Sequence, residues 1–339
     1  MFGKIFRPSS RADELLFGRI ISRDPIITIS KRRRETPLGI AGTVPDFFRK
    51  KHALHLLADT WHSHNEKKLR TIKKDLQRLS RYLVNNHFIY LGNTQYETWL
   101  LSKNNISSIH TSSLIAIDES TFKPDAEQLC KIKPAEAVYN ARLNPFKRHE
   151  LAFGLKKVAL IYGSRHDQTE QYERLKQAKP DWIFVNNEAG NGQYKLLNKK
   201  EVAGVLNQCQ VGLCLSAEEG PMRASMEYQL CGLPVVSTQS IGGRDRYFDS
   251  YNCIYADSTP KSVTSAVRVF LDNMPDKMEI RRAALRKINF DRNDFVVTIN
   301  EIVASIYGVS DLFNSCSKII GYVENLRPAS DILGDLSGL

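Results

Sequence analysis

The chain has 339 residues, a formal charge of +11 from 48 Lys/Arg against 37 Asp/Glu, 42% apolar and 25% charged residues, which fits a globular protein of two domains or one large one and excludes a disordered or collagen-like chain. No run of 18 apolar residues occurs, and the start MFGKIFRPSSRADELL lacks an apolar h-region and a small-residue cleavage site, so neither a transmembrane helix nor a secretory signal is expected, and the expected location is cytoplasmic. The charge is one-sided: residues 1–90 hold 19 Lys/Arg and 8 Asp/Glu, while the remainder holds 29 of each, a pattern that suits an anionic membrane surface, a nucleic acid or a phosphorylated acceptor as well as a merely solvated basic face.

In chain order, residues 1–24 show no hydrophobic period. IITIS (26–30) reads as a short strand, and the four cations at 31–34 as a loop. Residues 66–84 give the best helix of the first half. Leu69, Ile72, Leu76, Leu79 and Leu83 recur on one face, and Lys67, Lys68, Arg70, Lys73, Lys74, Arg78 and Arg81 fill the rest. The stripe is narrow and aliphatic, which favours a core-packed helix with a basic outer face over a membrane-surface helix. HFIYLG (87–92) reads as a strand, NTQYETWLLSKNN (93–105) as a helix, SSLIAI (112–117) as another strand, and DESTFKPD (118–125) as a polar linker. Strands then fall at 135–143, 157–163, WIFVNN (182–187), 211–216, 233–238 and 253–257, alternating with helices at 168–179, 199–209, 222–232 and 262–273. Short apolar strands between helices predict an α/β fold with parallel sheets covered on both faces. Residues 290–325 read as helical and the last dozen as a frayed end. The six cysteines form no CxxC pair, which predicts reduced thiols and no zinc site.

The chemistry concentrates in 211–257. A strand ends at Ser216, an acidic Gly-Pro loop follows (Glu218-Glu219-Gly220-Pro221), and a helix begins near Pro221. Ligands of parallel sheets gather at the carboxyl ends of strands, and a helix start there is an anion site. Glu219 precedes the helix and Glu227 lies within it, so both carboxylates face one crevice, where acceptor-only groups suit sugar hydroxyls. Gly242-Gly243 follows the next strand and permits close backbone approach. Upstream, Arg142 and Lys147 sit at another strand edge, where two cations suit a diphosphate. Each piece alone is an ordinary turn or surface charge; their order and spacing together are not.

The sequence here resembles the GT-B glycosyltransferases of the family 4 type. The motifs are Glu219-x7-Glu227, CGLPVVST with Gly242-Gly243, Ala141-Arg142-Leu143 followed by Lys147-Arg148, and the linker DESTFKP. The resemblance covers about 87–275 and is strongest over 135–257. It implies two Rossmann-like domains facing across a cleft, the N-terminal one reduced. The domains would be 1–122 (basic, acceptor-binding), 123–288 (nucleotide-sugar-binding), and 289–339, helices packing back toward the first.

By the same resemblance, Arg142 and Lys147 neutralise the donor diphosphate, Glu227 accepts from the ribose, Glu219 contacts the donor sugar, and amides after Gly220 touch sugar or phosphate. Met222 and Gly243 line the donor pocket. The resemblance further implies retention of configuration and a reaction without a metal or other cofactor, the UDP- or GDP-linked sugar being a substrate. His62 and His64 are the candidates for the family's N-domain histidine, with His52, His55, His87 and His110 behind them. The chain departs from the family at Pro221-Met222, at Ala141 and Arg148 where glycines are usual, and at Arg223, an extra cation that is a candidate phosphate or acceptor contact. GIAGTVPD (39–46) is the only trace of the usual Gly-rich loop. The acceptor implied is a lipid-linked or polysaccharide one, with peripheral contact to an anionic membrane. The alternatives are a nucleic-acid glycosyltransferase like the phage DNA glucosyltransferases, a non-catalytic nucleotide-sugar-binding scaffold, and an epimerase of the same fold.

Overall fold

The computed structural model describes residues 11–33, 36, 38–59, 65–125, 134–163, 169–322 and 326–336. Two compact units divide the chain: 1–117 with 289–339, and 118–288.

The first unit opens with β1 (Leu15–Leu16), β2 (Gly18–Arg23) and β3 (Ile26–Arg32), followed by the short helices α1 (Gly39–Thr43) and α2 (Pro45–Phe48). Then come β4 (Ala53–Asp59), α3 (Glu66–Ser80), β5 (Asn86–Gly92), α4 (Gln95–Lys103) and β6 (Ser108–His110). Its sheet has the order β2-β3-β4-β5-β6. β2 and β3 form an antiparallel hairpin, and every later pairing is parallel. The hairpin escaped the sequence reading because β2 is an edge strand with a register shift between Ile20 and Ser22, which breaks its alternation.

The GIAGTVPD segment does follow a parallel strand. Gly39 starts α1 with φ +56°, and a Cβ there would fall 2.3 Å from Ser30 Cβ on β3, so only glycine fits this approach. The Ile40 amide donates to Ser30 Oγ at 3.2 Å.

α3 forms because Asn65 caps it, accepting from the Lys67 amide at 2.9 Å, and because its aliphatic stripe has a core to enter. Leu69, Ile72 and Leu79 are buried with Leu57, Tyr90 and Leu101 in one cluster. The stripe is therefore a packing surface, and the outward face of α3 is its cations.

The second unit contains β7 (Ala135–Asn140), β8 (Val158–Ile161), α5 (Thr169–Ala178), β9 (Ile183–Phe184), α6 (Val185–Glu188), α7 (Lys199–Leu206), β10 (Cys209–Cys214), α8 (Arg223–Leu230), β11 (Val235–Thr238), β12 (Cys253–Ala256) and α9 (Pro260–Asp272). Its sheet is wholly parallel, in the order β12-β11-β10-β7-β8-β9. β10, β11 and β7 are buried nearly throughout, which accounts for their unbroken apolar runs.

α10 (Lys277–Tyr307) follows, and from Phe295 onward its apolar residues join the first unit's second core cluster with Cys316, Ile319 and Tyr322. β13 (Arg327–Pro328) pairs antiparallel with β1, and α11 (Ala329–Gly334) buries Ala329 and Ile332.

Three expectations are corrected. SSLIAI is a 3-10 turn (Ser113–Ala116), because Ser112 Oγ accepts from the Leu114 amide and Asn93 Oδ1 from the Ser113 amide, diverting the backbone from a ladder. WIFVNN is a strand only at Ile183–Phe184; Asn186 Oδ1 then accepts from the Tyr162 amide and its Nδ2 donates to the Lys195 carbonyl, turning the chain into α6. The helix expected over 290–325 ends at Tyr307, and within the end expected to fray β13 and α11 form, with Ala329, Ile332 and Leu336 buried.

Candidate active site

Both predicted acids lie on the loop and helix after β10, and each is tied to the segment that follows β7. Glu219 is buried at the loop, where its carboxylate pairs with buried Lys147 Nζ and accepts from Ser216 Oγ at 2.9 Å. Glu227 is buried one helical turn into α8 and accepts from Asn140 Nδ2, at the end of β7, at 3.3 Å. Tyr228 completes this junction: its hydroxyl accepts from the Asn140 amide at 2.6 Å. Residues 140–147 thus hold both carboxylates, Glu227 through Asn140 and Glu219 through Lys147.

The remaining predicted residues fall around it. Lys147 ends a 3-10 turn (Pro145–Lys147), with its ammonium 5.0 Å from the Phe146 ring. Arg142 is exposed at the start of the same loop. Gly220 is buried, and Met222, also buried, is the N-cap of α8. Met222 offers no side-chain cap, and the positive dipole end of α8 adjoins the Glu219 loop. Arg223 lies on the first turn with Nε 4.0 Å from Glu227 Oε1. Gly242 and Gly243 have φ +117° and +95°, values that glycine adopts without steric cost and residues with a Cβ do not. His62 and His64 lie outside the described residues. Of the histidines behind them, His55 is a core residue: Nδ1 bonds Thr28 Oγ1 at 2.8 Å and Nε2 bonds Asn86 Oδ1 at 2.9 Å.

The sequence reading missed several groups that frame the site. Ser216 was seen only as a strand end. Arg244, just after Gly-Gly, is fully buried, and its position beside a glycine turn was the one available signal. Arg148 was noted only as a missing glycine, yet it keeps the left-handed conformation a glycine would take, with φ +52°. His149 is buried with its ring 4.9 Å from Tyr139. Burial, with the Lys147 and Arg174 charges near it, pushes its pKa down to about 3, so the ring is neutral. The Cys214 thiol under the site is pushed up to about 12 by burial and is inert.

No protein-family model matches the sequence, and no curated protein matches it. Solved structures do match. Sucrose-phosphate synthase from Thermosynechococcus elongatus matches with a TM-score of 0.55 at 16% identity, over 77% of this chain and 69% of that one. HepE from Anabaena in complex with UDP matches with a TM-score of 0.57 at 14% identity, over 83% and 78%. The HepE complex with UDP-glucose gives 0.51 at 14% identity, over 78% and 74%. The fold is therefore that of the GT-B glycosyltransferases, as the motif resemblance implied.

Proposed function

We propose that this GT-B chain is a glycosyltransferase that moves a sugar from a nucleotide-diphosphate sugar to a lipid-linked or polysaccharide acceptor. The observation that carries the reading is the convergence of Lys147, Glu219 and Glu227 at the carboxyl edge of the second sheet, beside the uncapped start of α8. A nucleotide sugar presents a dianionic diphosphate flanked by two sets of hydroxyls. The site offers cations and helix amides flanked by two carboxylates.

The roles follow from the chemistry. Lys147, Arg142 and the first amides of α8 bind the diphosphate, with Arg223 beside them. They stabilise the charge that grows as the bond from the anomeric carbon to the diphosphate breaks. This set supplies positive charge without a metal, and the proposed reaction is metal-independent. Glu227 accepts from the ribose hydroxyls, and Glu219 from those of the donor sugar. Gly220, Met222 and Gly243 let the backbone approach. The acceptor hydroxyl oxygen bonds the anomeric carbon as the bond from that carbon to the diphosphate breaks, and its proton passes to the departing nucleoside diphosphate. Retention of configuration is part of the proposal, as is a role for His62 or His64 on the sugar. UDP and UDP-glucose in the HepE structures favour a uridine donor. The exposed cations of α3 suit an anionic leaflet that carries a lipid-linked acceptor.

The test is calorimetric titration of wild type, Glu227→Ala and Arg142→Ala/Lys147→Ala with UDP-, GDP-, ADP- and dTDP-sugars. One donor should bind wild type and be lost by both variants. A wild type that binds none of them ends the reading.

A further inference from the structure

Two arginines at the same sheet edge have no part in the roles above. Arg244 is the largest fully buried side chain among the described residues. A guanidinium has five N–H donors, and here each finds an oxygen. Nε donates to Asp245 Oδ1 at 2.9 Å. Nη1 donates to the Ser216 carbonyl at 2.8 Å and to its Oγ at 3.3 Å. Nη2 donates to Ser237 Oγ at 2.9 Å and to the Thr238 carbonyl. Arg148 reaches the same strand ends from the loop after β7. Its Nε donates to the Leu215 carbonyl at 2.7 Å, Nη2 to Thr238 Oγ1 at 2.7 Å and Nη1 to Ser258 Oγ at 3.1 Å.

The consequence is a clamp. The consecutive carbonyls of Leu215 and Ser216, just past β10, each accept from a guanidinium. Thr238, the last residue of β11, accepts from one on its hydroxyl and from the other on its carbonyl. Past the clamp the two loops are also joined. The Glu219 amide donates to the Ile241 carbonyl at 2.8 Å, and the Ile241 amide to that of Ala217 at 3.0 Å. Ser216 connects this frame to the site: its Oγ accepts from Arg244 and gives its proton to Glu219 Oε2 at 2.9 Å.

A buried cation is tolerated only when its donors are matched. Most of these acceptors are neutral backbone and hydroxyl oxygens. The guanidiniums therefore hold the strand ends without taking the Glu219 carboxylate for themselves.

We propose that Arg244, together with Arg148, is a positioning residue of the donor site. The two guanidiniums fix the segment 215–220 so that Ser216 orients the Glu219 carboxylate toward the donor sugar. The proposal rests on the donor reading above.

The test compares wild type with Arg244→Lys and Ser216→Ala. Two quantities are read: donor affinity, for the nucleotide sugar that wild type binds, and deuterium uptake of 215–222 without donor. Lysine keeps the charge but cannot serve five acceptors, so Arg244→Lys should speed exchange at 215–222 about tenfold or more while 209–214 stays protected. It should also raise donor KM and lower kcat. Ser216→Ala removes the relay to Glu219 and the longer of the two Arg244 Nη1 bonds, while the bond to the Ser216 carbonyl remains, so it should weaken donor binding about tenfold, the scale of one hydrogen bond to a charged group, with exchange changed far less than in Arg244→Lys. If Arg244→Lys exchanges and binds like wild type, charge alone suffices and the clamp is refuted. If Arg244→Lys does not fold, Ser216→Ala decides alone, and wild-type affinity in it refutes the positioning. A wild type that binds no nucleotide sugar instead refutes the donor reading on which the proposal stands.

Discussion

The two sheets end in charged loops, and they settle that charge in different ways. In the first unit cations meet acids. Arg32 at the end of β3 lies 3.9 Å from Asp59 at the end of β4 and 3.8 Å from Asp75 on α3, and Lys68 on α3 pairs with Asp59 at 2.9 Å. In the second unit Arg148 and Arg244 bind mostly neutral oxygens, and the buried ion pair is Lys147 with Glu219. The first edge is cross-braced: losing one cation leaves each acid another charge nearby. At the second edge Lys147–Glu219 is the pair with both side chains buried, beside Arg244–Asp245 and Arg223–Glu227, within a frame of backbone and hydroxyl acceptors.

The largest effect tests that contrast directly. Lys147→Ala leaves Glu219 buried without its cation and should destabilise the second unit by about 3–5 kcal/mol. Lys147→Met/Glu219→Gln should recover most of this, because it removes both charges. Arg32→Met should cost less, about 1–3 kcal/mol, because Lys68 still pairs with the buried Asp59. Urea unfolding of the variants measures all of these. Equal losses for Lys147→Ala and Arg32→Met would abolish the distinction between the edges.

The same contrast separates what was legible in the sequence from what was not. The second sheet was readable because its strands are buried on both faces and so are continuous apolar runs (VGLCLS, LPVVST). Its candidate site residues were readable because loop, helix start and paired acids keep a fixed spacing. Arg244 and Arg148 were not readable. Their partners are three backbone carbonyls, four hydroxyls and one carboxylate gathered from separate strand ends and loops, an assembly that no local spacing encodes. The β2–β3 hairpin was hidden by a bulge, and the turn at Ser113–Ala116 by competing side-chain hydrogen bonds. The fate of the C-terminal residues depended on long-range pairing with β1, which no local pattern encodes.

The buried histidines extend the comparison to pH. His55, in the first unit, bonds with both ring nitrogens and stacks 5.0 Å from Phe88, and burial lowers its pKa from 6.5 to about 4. The folded-state value lies below the unfolded one, so the unfolded chain takes up the proton first. The stability due to neutral His55 is complete above pH 6.5 and is lost as pH falls toward 4. The loss amounts to about 3 kcal/mol. His149, in the second unit, is lowered to about 3 and adds a slope of the same sign. His55→Gln should therefore reduce the pH dependence of unfolding between 6.5 and 4 by about half. A variant with the full wild-type slope would show that His55 is not the group that titrates.

The smallest effect on stability falls on α3, where the apolar stripe is in the core and the cations face out. Lys67, Arg70 and Lys74 are exposed, and the Arg70–Glu66 pair has both side chains about four-fifths exposed. Such pairs contribute little, so Lys67→Gln/Arg70→Gln/Lys74→Gln should change unfolding free energy by under about 0.5 kcal/mol. The same triple variant should lose about a hundredfold in binding to phosphatidylserine vesicles at low salt, at roughly 1 kcal/mol per cation near an anionic surface. Raising the salt should narrow the gap, since exposed charges are screened within about a Debye length. Because Leu69, Ile72 and Leu79 are engaged in the core, the apolar stripe of α3 does not supply an insertion that would hold the variant on the membrane. Vesicle sedimentation at two salt concentrations decides the matter. Undiminished binding by the triple variant would move the membrane contact away from α3, and the basic face would then be solvated surface.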